Sequence, residues 1–320
     1  MKKLSIILPT YNEKENVHNI YKEIKDAIKL LKISYEIIYV DDNSPDGTIN
    51  IVKQLRESDP NVKYILMSRR FGDQKCLMAG LDYADGDAVI TMDADLEHPP
   101  KYIPQMISEW ENGTEIVVMK RDKLGHNNFF KKWTEILFYK LLNKISGKQI
   151  IYRFAGFALM DKKVVKTLRR FQEKDPFLRG LVSLVGFKRT ELFYHENKRV
   201  AGETKYFISN MVRLGISGIT SFSNTPLYLS FYLGTVIVFL SFLYSIIILY
   251  EVLINGSVIP GWASTTLILI FFGGVQLLST GLLGIYISKI FIETKNRPNY
   301  IIREKSESML GQEINVAEDD

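Results

Sequence analysis

The sequence predicts an α/β domain with a mostly parallel sheet, followed by two helices that cross a membrane. Three observations lead there. Short apolar runs alternate with segments of helical periodicity as far as residue 98. Three of those runs end in polar, acid-rich loops. Residues 227–250 and 262–288 are long apolar stretches almost without charge.

The elements follow in order. Leu4-Ser5-Ile6-Ile7-Leu8 reads as a buried strand stopped by Pro9-Thr10-Tyr11-Asn12-Glu13. Val17, Ile20, Tyr21, Ile24, Ala27, Ile28 and Leu31 then recur at helical spacing with charges between them. A second strand, Tyr35-Glu36-Ile37-Ile38-Tyr39-Val40, runs into the turn-rich Asp41-Asp42-Asn43-Ser44-Pro45-Asp46-Gly47-Thr48. A helix (Ile51, Val52, Leu55), a strand over 62–67 and the loop Ser68-Arg69-Arg70-Phe71-Gly72 come next. A helix over 75–84 leads to the strand Ala88-Val89-Ile90-Thr91-Met92, which ends at Asp93. Alternation of this kind makes the strands parallel, so the loops at 9–13, 41–48 and 93–100 share one edge. Ligands of open α/β sheets gather at that edge.

Apolar residues make up 46% and charged residues 24%, ordinary for a globular chain, but the charge avoids residues 227–288. The formal net charge of +5 is modest, with Lys and Arg gathered in 120–213 and 295–305. Basic segments beside apolar ones point to anionic lipid or phosphate as partner and away from nucleic acid. Cys76 is the single cysteine, which excludes an intramolecular disulfide and fits a reducing compartment. Only five residues separate Met1-Lys2-Lys3 from Pro9, too few for a signal peptide, so the N-terminal domain is expected in the cytosol.

Asp93-Ala94-Asp95-Leu96-Glu97-His98-Pro99-Pro100 is the candidate centre. Two carboxylates two residues apart at a strand end can reach one divalent ion. Hard cations such as Mg2+ take oxygen ligands and share their coordination with phosphates. Taken alone, the stretch reads equally as an acidic surface loop. No Gly-x-Gly-x-x-Gly or Gly-x-x-x-x-Gly-Lys-Ser/Thr pattern occurs, which removes the dinucleotide fingerprint and the P-loop as explanations. His18, His98, His126 and His195 are scattered, and no Gly-x-Ser-x-Gly turn is present.

Together these residues resemble a known family. Pro9-Thr10-Tyr11-Asn12-Glu13, Asp41-Asp42-x-Ser44-x-Asp46-Gly47-Thr48 and the Asp93–Pro100 stretch look like the motifs of inverting, GT-A-fold family 2 glycosyltransferases. The likeness is greatest to the polyprenyl-phosphate glycosyltransferases, among them dolichyl-phosphate mannose synthase and bacterial bactoprenol glucosyltransferases. Arg70-Phe71-Gly72, Gly80-Leu81-x-x-Ala84-x-Gly86-Asp87 and Arg199-x-x-Gly202-x-Thr204-Lys205 extend it to about residue 225. The resemblance implies that Pro9, Tyr11, Glu13, Val40 and Asp42, with Asp93, Ala94, Asp95 and Arg121, bind a nucleotide-sugar. It implies that Asp93 and Asp95 hold Mg2+ or Mn2+, with Glu97 as a further ligand in a place where the family usually has Gln. Arg121, Arg199 and Lys205 would grip phosphates, the lipid acceptor's included. Other readings stay open: Asp42 as a helix cap, Arg121 and Arg199 as surface cations. Family members are often homo-oligomers.

Some branches carry Gly-Asp-Phe-Arg before Leu-Met-Asp, whereas this chain has Ala155-Gly156-Phe157-Ala158-Leu159-Met160-Asp161. The missing carboxylate and guanidinium leave the branch undetermined. A sugar hydroxyl acceptor needs a base to take its proton as it attacks. A phosphate monoester, with a second pKa of about 6, is mostly dianionic near neutrality and needs orientation and charge relief instead.

The remaining segments concern the membrane. Phe129, Phe130, Trp133, Ile136, Leu137, Leu141, Leu142 and Ile145 recur near helical spacing among lysines, which fits a helix lying in the membrane interface or one packed on its own domain. Residues 206–222 form a second such candidate. The runs at 227–250 and 262–288 each exceed the roughly 20 residues that cross a bilayer. Lys and Arg flank the pair and are missing from 251–261, which places both ends in the cytosol. The expected organisation is a catalytic domain over 1–203, a juxtamembrane segment over 204–226, a two-helix region over 227–292 and a cytosolic tail over 293–320, polar and mobile from Glu304.

The expected activity is inverting transfer of a sugar from a nucleotide-sugar, UDP-linked ahead of GDP-linked, to undecaprenyl or a related polyprenyl phosphate at the cytosolic membrane face. The product would serve the cell envelope. The alternatives are transfer to another lipid or a polysaccharide, a non-catalytic nucleotide-binding membrane scaffold, and a two-helix transporter subunit.

Overall fold

Eight strands join in one sheet in the computed structural model, which describes residues 2–122, 154–195, 225–255 and 261–309. The strands are β1 (Lys3–Thr10), β2 (Ser34–Asp41), β3 (Val62–Met67), β4 (Ala88–Thr91), β5 (Ile116–Arg121), β6 (Phe154–Asp161), β7 (Arg189–Tyr194) and β8 (Ile302–Lys305). Their order across the sheet is β7-β5-β6-β4-β1-β2-β3-β8. β1 pairs in parallel with β2 and β4, β2 with β3, and β5 with β7. β6 enters antiparallel between β4 and β5, and β8 lies antiparallel on β3. The sheet is therefore mixed, where alternation alone led to a mostly parallel one. The periodicity of β6 and β8 carries no sign of strand direction.

Helices cover both faces. α1 (Val17–Ile28), α2 (Thr48–Ser58) and α4 (Ile103–Glu111) pack on one, burying Ile20, Ile24, Val52, Met106 and Trp110. α3 (Asp73–Tyr83), α5 (Lys162–Arg169) and α6 (Leu178–Leu184) pack on the other, through Leu77, Leu81, Val164, Leu168 and Leu181. Successive residues of β1 and β2 point to opposite cores, Ile7 and Ile38 to one, Ile6 and Ile37 to the other. This accounts for runs that are apolar throughout instead of alternating.

Two glycines of the Gly80–Asp87 motif are matters of space. A Cβ on Gly80 would sit 2.3 Å from Ile7 Cγ2, so glycine lets α3 lie directly on β1. A Cβ on Gly86 would come within 2.6 Å of the Ser5 nitrogen and the Ala88 oxygen. Gly86 N–H instead donates to Ser5 Oγ, and Ser5 Oγ donates to the buried Glu36, which also pairs with Lys3 and Lys63.

The chain after the apolar region returns to this sheet, and the polar, mobile tail expected from Glu304 instead begins with β8 and a short helical turn as far as Met309. β8 closes the β3 edge; Ser306 Oγ accepts the Tyr64 N–H at 3.1 Å, and Met309 enters the core. The Tyr300 hydroxyl donates to Asp82 at 2.7 Å, and Asn299 Nδ2 donates to the Glu173 carbonyl. Residues from 297 onward thus belong to the same compact unit as the N-terminal domain, and residues 310–320 lie outside the described set.

The second unit holds α7 (Thr225–Asn255) and α8 (Trp262–Thr294). Within α8, Phe271–Thr294 is long and apolar enough to cross a membrane; in α7 the apolar stretch Ser230–Tyr244 is shorter. Large side chains are exposed on both, such as Phe231 at 67% and Leu277 at 75%, a surface that water does not favour.

Burial pushes the Asp82 carboxyl up to about 6, although the Tyr300 hydrogen bond works against it. Because the folded-state pKa lies above the unfolded one, the protonated carboxyl stabilises the fold, fully below about pH 4. That stabilisation is lost as pH rises through 6. Thermal unfolding of the detergent-solubilised chain should show Tm falling over this window, and Asp82→Asn should remove part of the fall. An unchanged slope in the variant would contradict the assignment.

Candidate active site

β1, β2 and β4 end side by side, and the loops that follow them are stitched together by backbone amides. After β1, Asn12 N–H donates to Ser44 Oγ at 3.0 Å, Glu13 N–H to Thr48 Oγ1 at 3.1 Å and Lys14 N–H to Asp46 at 3.2 Å. Ser44, Asp46 and Thr48 are thus the clasp that holds the Pro9–Glu13 loop. Asp41 is buried and accepts both the N–H and the hydroxyl of Ser44. Asp42 accepts Phe71 N–H at 2.6 Å and Gly72 N–H at 2.9 Å, fixing the next loop. Asp42, expected at the nucleotide or as a cap on a neighbouring helix, has both oxygens on these two amides, the second at the start of α3.

Each of the three loops has one left-handed residue other than glycine, Asn12 (φ 59°), Asn43 (φ 58°) and Leu96 (φ 66°). Asn tolerates this conformation, and leucine seldom does. Strain at Leu96, about 1–3 kcal/mol for such a residue, is held by its burial at 3% exposure. The turn lets Asp95 Oδ1 accept Glu97 N–H at 3.0 Å and brings His98 Nδ1 back to accept Asp93 N–H at 2.9 Å. His98 is wholly buried, stacked on Phe157 with centroids 5.2 Å apart and edge-on to Tyr194. Burial lowers its pKa to about 3, so it is neutral and serves as a hydrogen-bond acceptor for Asp93.

Charge accumulates here. Burial and then neighbouring Asp95 push the Asp93 carboxyl up to about 7, with Arg179 and Arg121 opposing. Asp73, the first residue of α3, is raised to about 6 by burial and by Asp93. Glu97 faces Arg121: Arg121 Nη2 donates to its Oε2 at 3.2 Å while Nε donates to the Tyr194 hydroxyl at 3.2 Å. That ion pair gives a reason for Glu in a place where Gln is usual. Among the described residues, no three His, Cys, Asp or Glu side chains converge as a metal-ligand group. Of the three residues expected as metal ligands, Asp93 and Asp95 stand at the β4 end, and Glu97 faces Arg121.

Tyr11, Glu13, Asp42, Asp93, Asp95 and Arg121 are brought to one edge. Pro9, Val40 and Ala94 are buried there and shape the floor. Arg199, Lys205 and both amphipathic segments lie outside the described residues. Four contributors had no role assigned from sequence. Arg70 lies over the Tyr11 ring at 3.9 Å, Asp73 opens α3, His98 braces Asp93 and Arg179 approaches from α6. The first three fall in or beside quoted motifs. Arg179 follows no motif.

The family model for "Glycosyl transferase family 2" matches residues 5–169. The chain belongs to that family. It is 43% identical over 300 residues to the uncharacterized glycosyltransferase YkcC of Bacillus subtilis, covering 94% of this chain and 93% of that one. It is 38% identical over 302 residues to the bactoprenol glucosyl transferase of Shigella phage SfII, covering 94% and 98%. Among solved structures, the glucosyl-3-phosphoglycerate synthase of Mycobacterium tuberculosis in complex with Mn2+, UDP and phosphoglyceric acid is similar at TM-score 0.49 and 17% identity, over 68% of this chain and 76% of that one. The protein is a glycosyltransferase with the GT-A type of mixed α/β sheet.

In this family 2 enzyme Glu97 holds a negative charge beside the groups that would meet phosphate. Glu97→Gln should keep a hydrogen bond to Arg121 and tighten UDP binding by about 2- to 10-fold, as removal of one half-exposed like charge would. Tm should barely move, since such a pair is worth about 0–1 kcal/mol. Weaker UDP binding in a calorimetric titration would show that Glu97 contributes to the ligand instead.

Proposed function

We propose that this glycosyltransferase passes a sugar from a nucleotide-sugar, UDP-linked, to undecaprenyl or a related polyprenyl phosphate, with inversion at the anomeric carbon. The observation that carries the reading is the composition of the sheet edge. It offers aspartates for a divalent cation and Arg121 for phosphate, while Gly156 and Ala158 stand where some branches of the family have a carboxylate and a guanidinium. A phosphate dianion attacks unaided once it is oriented and its repulsion from the donor is relieved. The bactoprenol glucosyl transferase relatives, matched over nearly their whole length, support the same acceptor.

Asp93 and Asp95 fit a divalent cation, Mg2+ or Mn2+: they are oxygen donors two residues apart at one strand end, where burial and then Asp95 push the Asp93 carboxyl up and a cation would relieve both. When bound, the ion would neutralise the donor diphosphate. The chain's own residues do the rest. Asp42 holds the 71–72 turn, His98 sets the Asp93 backbone, and Tyr11 with Glu13 offers a wall for the nucleoside. Arg121 is proposed to meet phosphate, joined by Arg199 and Lys205.

Membrane attachment through α7 and α8 is part of the same reading. α8 has a stretch long and apolar enough to span a bilayer and α7 a shorter apolar one, and the exposed apolar side chains of both call for lipid. Basic residues flanking the pair support a multi-pass arrangement with the catalytic domain cytosolic.

One observation favours a second reading, a hydroxyl acceptor on another lipid or a saccharide. His195 Nδ1 lies 3.3 Å from Asp122 at the ends of β7 and β5, an arrangement able to take a proton.

The test is transfer of radiolabelled sugar from a panel of nucleotide-sugars to undecaprenyl phosphate, with Mg2+ or Mn2+ and organic extraction. Metal-dependent label in the organic phase is expected, and Asp95→Asn should lower kcat by about 100-fold or more while the fold persists. Hydrolysis of donor without labelled lipid would refute the acceptor. His195→Ala should leave kcat within about 2-fold for a phosphate acceptor; a fall of about 100-fold or more would favour the hydroxyl reading.

A further inference from the structure

Arg179 is a half-buried arginine on α6, far in sequence from every motif, yet its guanidinium lies beside Gly156 of β6. Three features place it. Leu178 N–H donates to Gln74 Oε1 at 3.0 Å, tying the start of α6 to the first turn of α3 beside Asp73. Leu178, Leu181 and Val182 are buried at 1%, 0% and 2% exposure, so the helix is anchored and not a loose loop. The guanidinium then lies over Gly156: a Cβ built there would be 3.8 Å from Arg179 Nε and 4.0 Å from Nη2.

Gly156 is next to the candidate centre. β4 and β6 are antiparallel, with Thr91 opposite Ala158, so continuing the register brings Gly156 opposite Asp93. Thr91 Oγ1 donates to the Gly156 carbonyl at 2.7 Å, which holds the two strand ends together there. The Arg179 guanidinium is close enough to interact electrostatically with both Asp73 and Asp93.

We propose that Arg179 is a phosphate-binding residue of this transferase, delivered from α6 to the Asp93 edge through the space left by Gly156. The planar donor fork beside Gly156 suits phosphate oxygens in bidentate geometry. The inference rests on the transferase reading above and adds a cation to it. The phosphate is that of the donor or that of the lipid acceptor; the chemistry is common to both.

Direct binding separates these sources. Calorimetric titrations of the full chain in detergent would use UDP with Mn2+ against uridine, and farnesyl phosphate against farnesol. Arg179→Ala should weaken UDP or farnesyl phosphate by about 10- to 100-fold, the range for a lost charge-assisted hydrogen bond. Uridine and farnesol should bind as in wild type, which a misfolded variant would not allow. Arg179→Lys should recover part of the loss, because charge is kept without the fork. The arm that moves names the source. If the phosphorylated-to-unphosphorylated affinity ratio stays at the wild-type value in both arms, the proposal is overturned. Failure of wild type to bind farnesyl phosphate would strike the acceptor reading alone, and Arg179 would still be judged on UDP.

Discussion

At the carboxyl edge of β1, β2 and β4, Asp42, Asp73, Asp93 and Asp95 repel one another in sequence. Asp42 acts on Asp73, Asp73 feels Asp93, and Asp93 feels Asp95. Like charges this crowded must be offset, and the protein does so in three ways. Asp42 is satisfied by two backbone amides. Asp93 and Asp73 are pushed toward protonation. Arginines approach from outside the parallel core, Arg121 from β5 and Arg179 from α6. What is left is a site short of positive charge, the condition that a divalent cation and the groups binding phosphate would meet.

The same loops show that a motif is a mixture of roles. In Asp41–Thr48, Ser44, Asp46 and Thr48 serve as acceptors for the amides of the neighbouring loop, and Asp41 holds Ser44. In the Gly80–Asp87 stretch, glycine is needed where α3 meets Ile7 and where the chain passes Ser5. These residues act on the backbone around them. They set the loop positions to which Tyr11, Glu13 and the aspartates owe their convergence, and the strained Leu96 is tolerated because its side chain is buried in the core.

The apolar helices are inserted within the catalytic unit's sequence instead of being appended to it. β8, Tyr300, Ser306 and Met309 complete the sheet edge and core only after α7 and α8 have been made. Cutting the chain before α7 would expose the β3 edge, with its unpaired N–H and C=O groups, and leave Asp82 buried without its hydroxyl partner.

Periodicity and turn residues alone determined the strand–helix alternation, the parallel core of β1 to β4, the gathering of three loops on one edge and the two long apolar helices. These are local signals: apolar spacing reports burial, and Pro, Gly, Asn and Asp report chain reversal. The motif resemblance added the family. Tertiary structure decided what depends on pairs distant in the chain. It turned β6 and β8 antiparallel, drew residues 299–309 back into the sheet and gave Glu97 to Arg121. It also made His98 a buried acceptor and carried Arg179 over Gly156. A strand's direction, an ion pair's partner and the reach of a side chain from another helix leave no periodic mark. They are set by which surfaces meet once the core has closed.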